Sequence, residues 1–352
     1  MVTQPYLKII KTSLLVSVFS VRGMLFHRFT QILRSGWSYI GSYSLLQNAK
    51  TALTGSPERR IVKAIPQGDC TKGRIPMKRQ LQPHQIITQS LSGPFQKTIW
   101  KPFVKAVDTY ALIAPGDRIA VCVSGGKDSM LLAKLMQQLQ RVRQNDFALE
   151  FLTMDPGYDP AHTRQLLDNA ALLGIPVQVF ETNILRIVNK QAQHPCFLCA
   201  RMRRGHLYAK AQALGCNKIA LGHHFNDVIE TTLMGMLYGG QIQAMLPRRR
   251  SDNYDDMELI RPLYCVHEED ILAWRDANAL HFLQCACRFT SRSQEDAAYS
   301  RRARVKALIA QLKSESPEVE RSIFHSIHTV QLDSMPGYKS QGIAHSFLER
   351  LE

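Results

Sequence analysis

Between Arg118 and Ala277 short apolar, β-branched runs alternate with longer stretches of helical periodicity, and that alternation leaves few folds open. The spacing predicts strands over Arg118–Val123, Leu149–Met154, Val177–Phe180 and Lys218–Leu221. Helices are predicted over Met130–Val142, Pro160–Leu173, Arg201–Leu214 and Asp227–Tyr238, several of them closed by a glycine. Leu259–Leu263 is expected to return to the sheet ahead of an acidic-started helix, Glu268–Ala277. Strands alternating with helices of this length form parallel βαβ units, so the expected fold is α/β, a doubly wound parallel sheet. Helical additions are expected on both sides. Gln96–Ala111 carries Ile99, Trp100, Phe103, Val104, Val107 and Tyr110 at helical spacing; Ala297–Leu312 reads as a basic helix. Pro317–Ile327 reads as another, with Ser316 as N-cap and Pro317 at its first position, followed by a partly ordered tail. The expected divisions are a leader at 1–76, a helical region at 77–116, an α/β domain at 117–290 and basic helices with a tail at 291–352.

Charge is lopsided, +15 over 352 residues, and unevenly placed. Before Met77 eleven Lys and Arg face only Glu58 and Asp69, and the first 57 residues hold no acid. That composition suits an unstructured leader, an organelle transit segment or translation from an upstream start, with Met77 as a natural start. The apolar stretch Leu14–Val21 is broken by Ser17 and Ser20 and falls far short of the roughly 20 residues a membrane helix needs, so no membrane partner is expected. Net positive charge instead points to a polyanionic partner.

Ser124-Gly125-Gly126-Lys127-Asp128-Ser129 lies at a predicted strand-to-helix junction. Paired glycines let backbone N–H groups close on an anion, and the helix start adds unpaired N–H donors and a positive dipole end. Lys127 adds a mobile cation. The spacing differs from the Walker A loop, which has four residues between its first Gly and Gly-Lys. Gly222-His223-His224 and Asp227 follow the fourth strand, on the side where open parallel sheets bind ligands. Adjacent histidines cannot share one helical face, so at most one ring of the pair is expected to point into the site.

Eight cysteines occur, and Cys196-x-x-Cys199 precedes a predicted helix while Cys285-Ala286-Cys287 lies downstream. On the residues alone, a structural Zn²⁺ site, a [4Fe–4S] cluster on three thiolates, and a persulfide relay stay open. Cys122, Cys216 and Cys265 read as small buried hydrophobes, and Cys70 stands alone in the leader.

The SGGKDS run resembles the pyrophosphate-binding loop of the PP-loop ATP pyrophosphatases, which activate a carbonyl oxygen by transferring AMP to it. Together with Pro195-Cys196-x-x-Cys199-Ala200-Arg201 and Leu221-Gly222-His223-His224, it is similar to the tRNA 2-thiocytidine synthetases. The resemblance spans roughly residues 95–290. It implies ATP held by Ser124, Gly125, Gly126, Lys127, Asp128, Ser129, Met154, Gly222 and His223, with Asp155 beside the adenosine. It implies Mg²⁺ at Asp128 and Asp227; Asn226 stands where the family commonly has a further Asp. It implies a [4Fe–4S] cluster on Cys196, Cys199 and Cys285 (or Cys287), whose open iron carries sulfur, with Lys127, Asp227, Cys196 and Cys199 as the catalytic set. The implied reaction is thiolation of cytidine 32 in tRNA. A cysteine desulfurase would donate the sulfur to a cytoplasmic homodimer. Arg201, Arg203, Arg204, Arg248, Arg249 and Arg250 are the expected RNA contacts, with Arg301, Arg302 and Arg304 as a third patch. The rival expectations are a 2-thiouridine-type PP-loop enzyme and a non-catalytic zinc-containing RNA-binding protein.

Overall fold

The computed structural model describes residues 81–188, 195–283 and 300–351, with 195–197 and 200 described by backbone only. The chain divides into a unit Met1–Ile75 and a unit Pro76–Glu352, and every described residue belongs to the second. The leader, Cys70, Cys285 and Cys287 therefore lie outside the described residues.

Helix α1 (Pro83–Ser92) leads to a π-helical turn, Gln96–Trp100, and then α2 (Lys101–Thr109). The single helix expected over 96–111 is thus two pieces. Pro102 has no N–H with which to continue an i→i−4 ladder, and the wider turn falls just ahead of it. The α/β region then runs β1 (Arg118–Cys122), α3 (Lys127–Val142), β2 (Ala148–Asp155), α4 (Pro160–Leu173), β3 (Val177–Glu181), α5 (Ile184–Val188), α6 (Pro195–Ala213), β4 (Lys218–Ala220) and α7 (Phe225–Gly239). After it come β5 (Arg248–Arg250), β6 (Glu258–Ile260) and α8 (Glu268–Ala277). The C-terminal part holds α9 (Arg301–Glu315), α10 (Val319–Ser326) and a hairpin of β7 (Gly337–Ser340) with β8 (Ile343–Ser346). None of the described helices is long and apolar enough to cross a membrane.

The large sheet has the order β3-β2-β1-β4-β6-β5, parallel except for β5 at the edge. Strand order reverses between β1 and β4, so a crevice opens beyond the carboxyl ends of these neighbours, where doubly wound sheets bind ligands. Below the sheet, at the opposite ends of the strands, Lys218 Nζ donates to Asp117 Oδ2 (2.7 Å) and to the Leu112 carbonyl (3.0 Å). Burial works against ionisation of Asp117, but Lys218 and N–H donors from Ala114 and Asn217 outweigh it and lower its pKa. The pair is satisfied on both sides, as burial of charge requires.

Other elements also differ from expectation or were not foreseen. Helix α6 begins at Pro195 rather than Arg201, so the Cys-x-x-Cys pair belongs to its first turns; proline at a first helical position lacks only an N–H that would be unpaired anyway. Ser316 caps the end of α9, donating its N–H to the Leu312 carbonyl, and α10 starts at Val319. The C-terminal tail contains a paired hairpin, and the basic patch Arg248–Arg250 is an edge strand.

The core between the sheet and its helices contains Phe103, Ile119, Val121, Leu131, Leu135 and Trp274, all fully buried. Lys134 sits within it, donating to the Leu173 carbonyl at 2.6 Å, which ties α3 to the last turn of α4. Burial brings its pKa down to about 8.

Candidate active site

The loop Ser124–Gly126 joins β1 directly to α3, whose first turn is Lys127, Asp128 and Ser129. Ser129 is spent on the loop itself: its Oγ accepts from the Ser124 N–H and Oγ (3.1 Å each) and donates to the Gly126 carbonyl (2.9 Å). Glycine is required at 125. Its φ is +87°, and a Cβ there would lie 2.8 Å from Leu283 Cδ1 and 3.1 Å from Leu166 Cδ1. Gly222 is equally constrained by close approach, since a Cβ would come within 3.1 Å of the Asp128 carbonyl carbon and Ser129 nitrogen. The end of β4 thus abuts the start of α3, backbone on backbone.

Two cavities flank the loop. One of about 310 Å³ is lined by Ser124, Gly126, Met154, Tyr158, His162 and Arg203. The other, about 440 Å³, is lined by Cys122, Asp128, Arg203, Arg204, His223 and Asp227, among others. The loop and Arg203 border both. Met154 faces the first cavity. Asp155 borders it too, but its carboxylate already accepts from the Gly157 and Tyr158 N–H groups and Thr163 Oγ1 (2.8–2.9 Å), so it braces the turn. His162, not singled out in the sequence, presents a buried Nε2 without a hydrogen bond.

His223 and His224 both precede α7, so the helical-face argument does not apply to them. His224 is the N-cap. Its Nδ1 accepts from the Asp227 N–H (3.4 Å), its N–H donates to Asp227 Oδ2 (3.1 Å), and its Nε2 lies 3.9 Å from Asp128 Oδ1. His223 lines the larger cavity with a buried Nδ1 lacking a partner; burial, reinforced by Arg261, brings its pKa down to about 4, so the ring is neutral at physiological pH.

Charges around the loop form one connected set. Lys127 Nζ lies 3.1 Å from Asp128 and 3.1 Å from Glu268 Oε1. Burial opposes its charge, but Asp128 and Glu268 outweigh burial and raise its pKa. Asp128 Oδ1 is buried and accepts no hydrogen bond of good geometry. Asp227, whose pKa is lowered by His224, His223 and Arg302 against the effect of burial, pairs with Arg302 at 2.8 Å. Arg302 also reaches Glu230 (3.4 Å) and Thr231 (3.2 Å).

The basic patches therefore split. On α9, Arg302, Lys306 and Lys313 face inward onto Asp227, Glu268, Glu269 and Glu320, while Arg301 lies over the Tyr238 ring at 5.3 Å. These ion pairs cut across the expected division at 290/291. Arg248, expected to contact RNA, makes a two-pronged pair with Glu258 (2.8 and 2.9 Å) and donates to the Ala111 carbonyl, because edge-strand pairing sets it opposite β6. Arg249 pairs with Asp252, Arg250 is exposed, and Arg201 and Arg204 remain exposed on α6. Arg203 turns into the crevice, so it is a site residue as much as a surface one.

Cys199 packs beside Met154, Ile184 and Val188, which sets the second cysteine of the pair against the wall of the first cavity. Cys196 lies in the first turn of α6, where the helix dipole favours a thiolate; its side chain, like Cys285 and Cys287, is outside what is described. Among the described residues no three His, Cys, Asp or Glu side chains form a metal-binding group. Cys122 and Cys216 are buried thiols whose pKa values burial pushes up to about 12 and about 11, as small hydrophobes in a core would be.

Asn226 has a use that its charge-free side chain alone permits. Its Oδ1 accepts the Glu268 N–H (2.9 Å) and its Nδ2 donates to buried Glu320 Oε1 (3.1 Å). Asn226→Asp sets two carboxylates against each other and is expected to cost about 1–3 kcal/mol in urea unfolding. Asn226→Asp combined with Glu320→Gln should regain most of that loss.

The PP-loop domain family matches residues 95–312, a span that takes in the π-helical turn, the sheet and most of α9. A tRNA-cytidine(32) 2-sulfurtransferase from Syntrophotalea carbinolica is 36% identical over 230 residues, covering 64% of this chain and 86% of the relative. One from Legionella pneumophila (strain Corby) is 37% identical over 233 residues, covering 64% and 79%. Among solved structures, the U34-tRNA thiolase NcsA from Methanococcus maripaludis, with its [4Fe-4S] cluster, superposes with a TM-score of 0.51 at 20% identity, covering 65% of this chain and 76% of that one; the likeness is one of fold. With the loop, the crevice and these matches in agreement, the chain belongs to the PP-loop domain family, alongside the tRNA-cytidine(32) 2-sulfurtransferases.

Proposed function

We propose that this protein uses ATP to activate the C2 carbonyl oxygen of cytidine 32 in tRNA and replaces that oxygen with sulfur. The observation that carries the reading is the sharing of one crevice by the phosphate loop and by α6, which bears Cys196 and Cys199 in its first turns and Arg203 at its rim. The carbonyl oxygen attacks the α-phosphorus, the α–β phosphoanhydride bond breaks and pyrophosphate leaves. Sulfur then adds at C2, the C2–O bond breaks and AMP leaves with the original oxygen.

The loop N–H groups and Lys127 neutralise charge growing on the departing pyrophosphate. The smaller cavity suits the adenosine, with Met154 as its apolar wall, and His223 offers a neutral ring nitrogen to the larger one. The residues would offer Mg²⁺ two carboxylates beside the phosphates: Asp128, whose buried Oδ1 has, among the described residues, only the Lys127 ammonium 3.1 Å away as a charge partner of short range, and Asp227, across His224 from it. Two cysteines in the first turns of one helix fit an iron–sulfur cluster, with Cys285 (or Cys287) as the third ligand. A [4Fe–4S] cluster held there would supply the sulfur. Exposed Arg201, Arg204, Arg249 and Arg250 would meet the RNA backbone, and an anticodon loop can present an unstacked base. A cysteine desulfurase as sulfur source, a homodimer and a cytoplasmic location belong to the same reading.

Anaerobic purification tests it. The protein should be brown, with about four iron and four sulfide per chain, and should form 2-thiocytidine in tRNA only when ATP is present. A colourless protein with one zinc per chain, or 2-thiouridine as the product, would overturn the assignment.

A further inference from the structure

Glu268 lies outside the loop, and its sequence context shows only an acidic helix start. In the structure its two oxygens are divided between two lysines. Oε1 is 3.1 Å from Lys127 Nζ, and Oε2 is 2.6 Å from Lys306 Nζ. The residue is held on three sides. Its N–H donates to Asn226 in the first turn of α7, the residue itself begins α8, and Lys306 approaches from α9, which is pinned to α7 by buried Val305 and Ile309. Burial opposes ionisation of Glu268, but Lys306 and then Lys127 outweigh it and bring the carboxyl to about 2, so it is an anion throughout the working range.

A lysine ammonium rides on a flexible four-carbon stem, and an unanchored one must find its place by rotamer search. Lys127 does not search: Asp128 and Glu268 hold it from two sides at the mouth of the loop. We propose that Glu268, backed by Lys306 of the C-terminal helix, is a positioning residue that keeps the Lys127 ammonium where the transferring phosphates must meet it. This rests on reading Lys127 as the group that neutralises the leaving pyrophosphate. The arrangement has a distinctive energetic signature. Glu268 is itself an anion near the phosphates, so its direct effect on ground-state ATP binding is repulsive. Its benefit comes only through the placement of Lys127, small in the ground state, where it partly offsets that repulsion, and largest in the transition state.

The test uses the full chain with Glu268→Gln, alone and combined with Lys127→Ala. With tRNA, single-turnover AMP release should fall ~10–30-fold for Glu268→Gln while the ATP Kd stays level or tightens by up to ~3-fold. In the Lys127→Ala background Glu268→Gln should slow the reaction no further, because nothing is left to position. Lys306→Met, which alters an exposed side chain and should leave folding intact, should lower the rate ~3–10-fold with the same pattern in Kd. Losses that multiply in the double variant, or a weaker ATP Kd at an unchanged rate, would overturn the proposal. Calorimetric ATP binding needs no RNA and separates the two readings. Glu268→Gln should tighten ATP more in the Lys127→Ala background than in the wild type, by ~3-fold, and equal effects in both would overturn the positioning role whatever the acceptor. Wild-type protein that binds ATP but releases no AMP with tRNA would sink the thiolation reading instead.

Discussion

Lys127→Ala is expected to lower ATP-dependent AMP release by ~10²–10³-fold, the range seen when one preorganised donor to a developing charge is removed. The expectation follows from where the ammonium sits. It projects from the first turn of α3, at the mouth of a loop whose glycine at 125 cannot be replaced without striking Leu283, and two carboxylates hold it there. Pyrophosphate gains negative charge as the α–β bond breaks, and no other lysine pairs with Asp128 among the described residues. Folding should survive, since Lys127 is a partly exposed residue and its removal leaves Glu268 still paired with Lys306. Quench-flow measurement of AMP with tRNA in excess checks the rate, and urea unfolding checks the fold. A loss under ~3-fold would mean that the loop N–H groups and metal carry the charge alone.

Cys196→Ala should leave no measurable 2-thiocytidine, with iron content reduced and ATP affinity within ~2-fold of the wild type, since its expected role is to ligate the cluster and not to contact the nucleotide. Cys196 belongs to the first turn of α6, where the dipole favours the thiolate that a metal ligand must be, while among the described side chains of α6 those lining the two cavities beside the loop are Arg203 and its successors. Mass analysis of nucleosides from tRNA incubated with the variant, alongside calorimetric ATP titration, checks both halves. Normal 2-thiocytidine formation by this variant would remove the cysteine pair from the chemistry.

These predictions rest partly on residues visible in the sequence and partly on residues that only folding brings together. The fold class, most strands and the phosphate loop are legible because each depends on a short local pattern: β-branched runs, helical periodicity, and glycines at a strand-to-helix junction. Helix α8 is found at its expected bounds, Glu268–Ala277, and α4 at Pro160–Leu173, because Gly174 and Asp159 mark its ends locally. Strand β5 is not legible in this way. Three arginines in a row carry no apolar alternation, and Arg248–Arg250 becomes a strand because β6 offers an open edge and Glu258 an ion pair. The start of α6 is likewise set by Pro195, six positions ahead of the periodic pattern.

The sequence by itself determined the parallel sheet, the loop that closes on phosphate, the cysteine pair and the sign of the charge. Each of these is a property of neighbours along the chain. Tertiary structure alone decided what the charges do. Arg302 and Lys306 lie more than thirty residues from Asp227 and Glu268, and only the packing of α9 on α7 turns a basic helix inward onto the site's acids. Asn226 acquires its meaning from Glu320 and Glu268, and Glu268 from Lys127, because an ion pair or a shared hydrogen bond is set by distance in space, to which sequence spacing is blind.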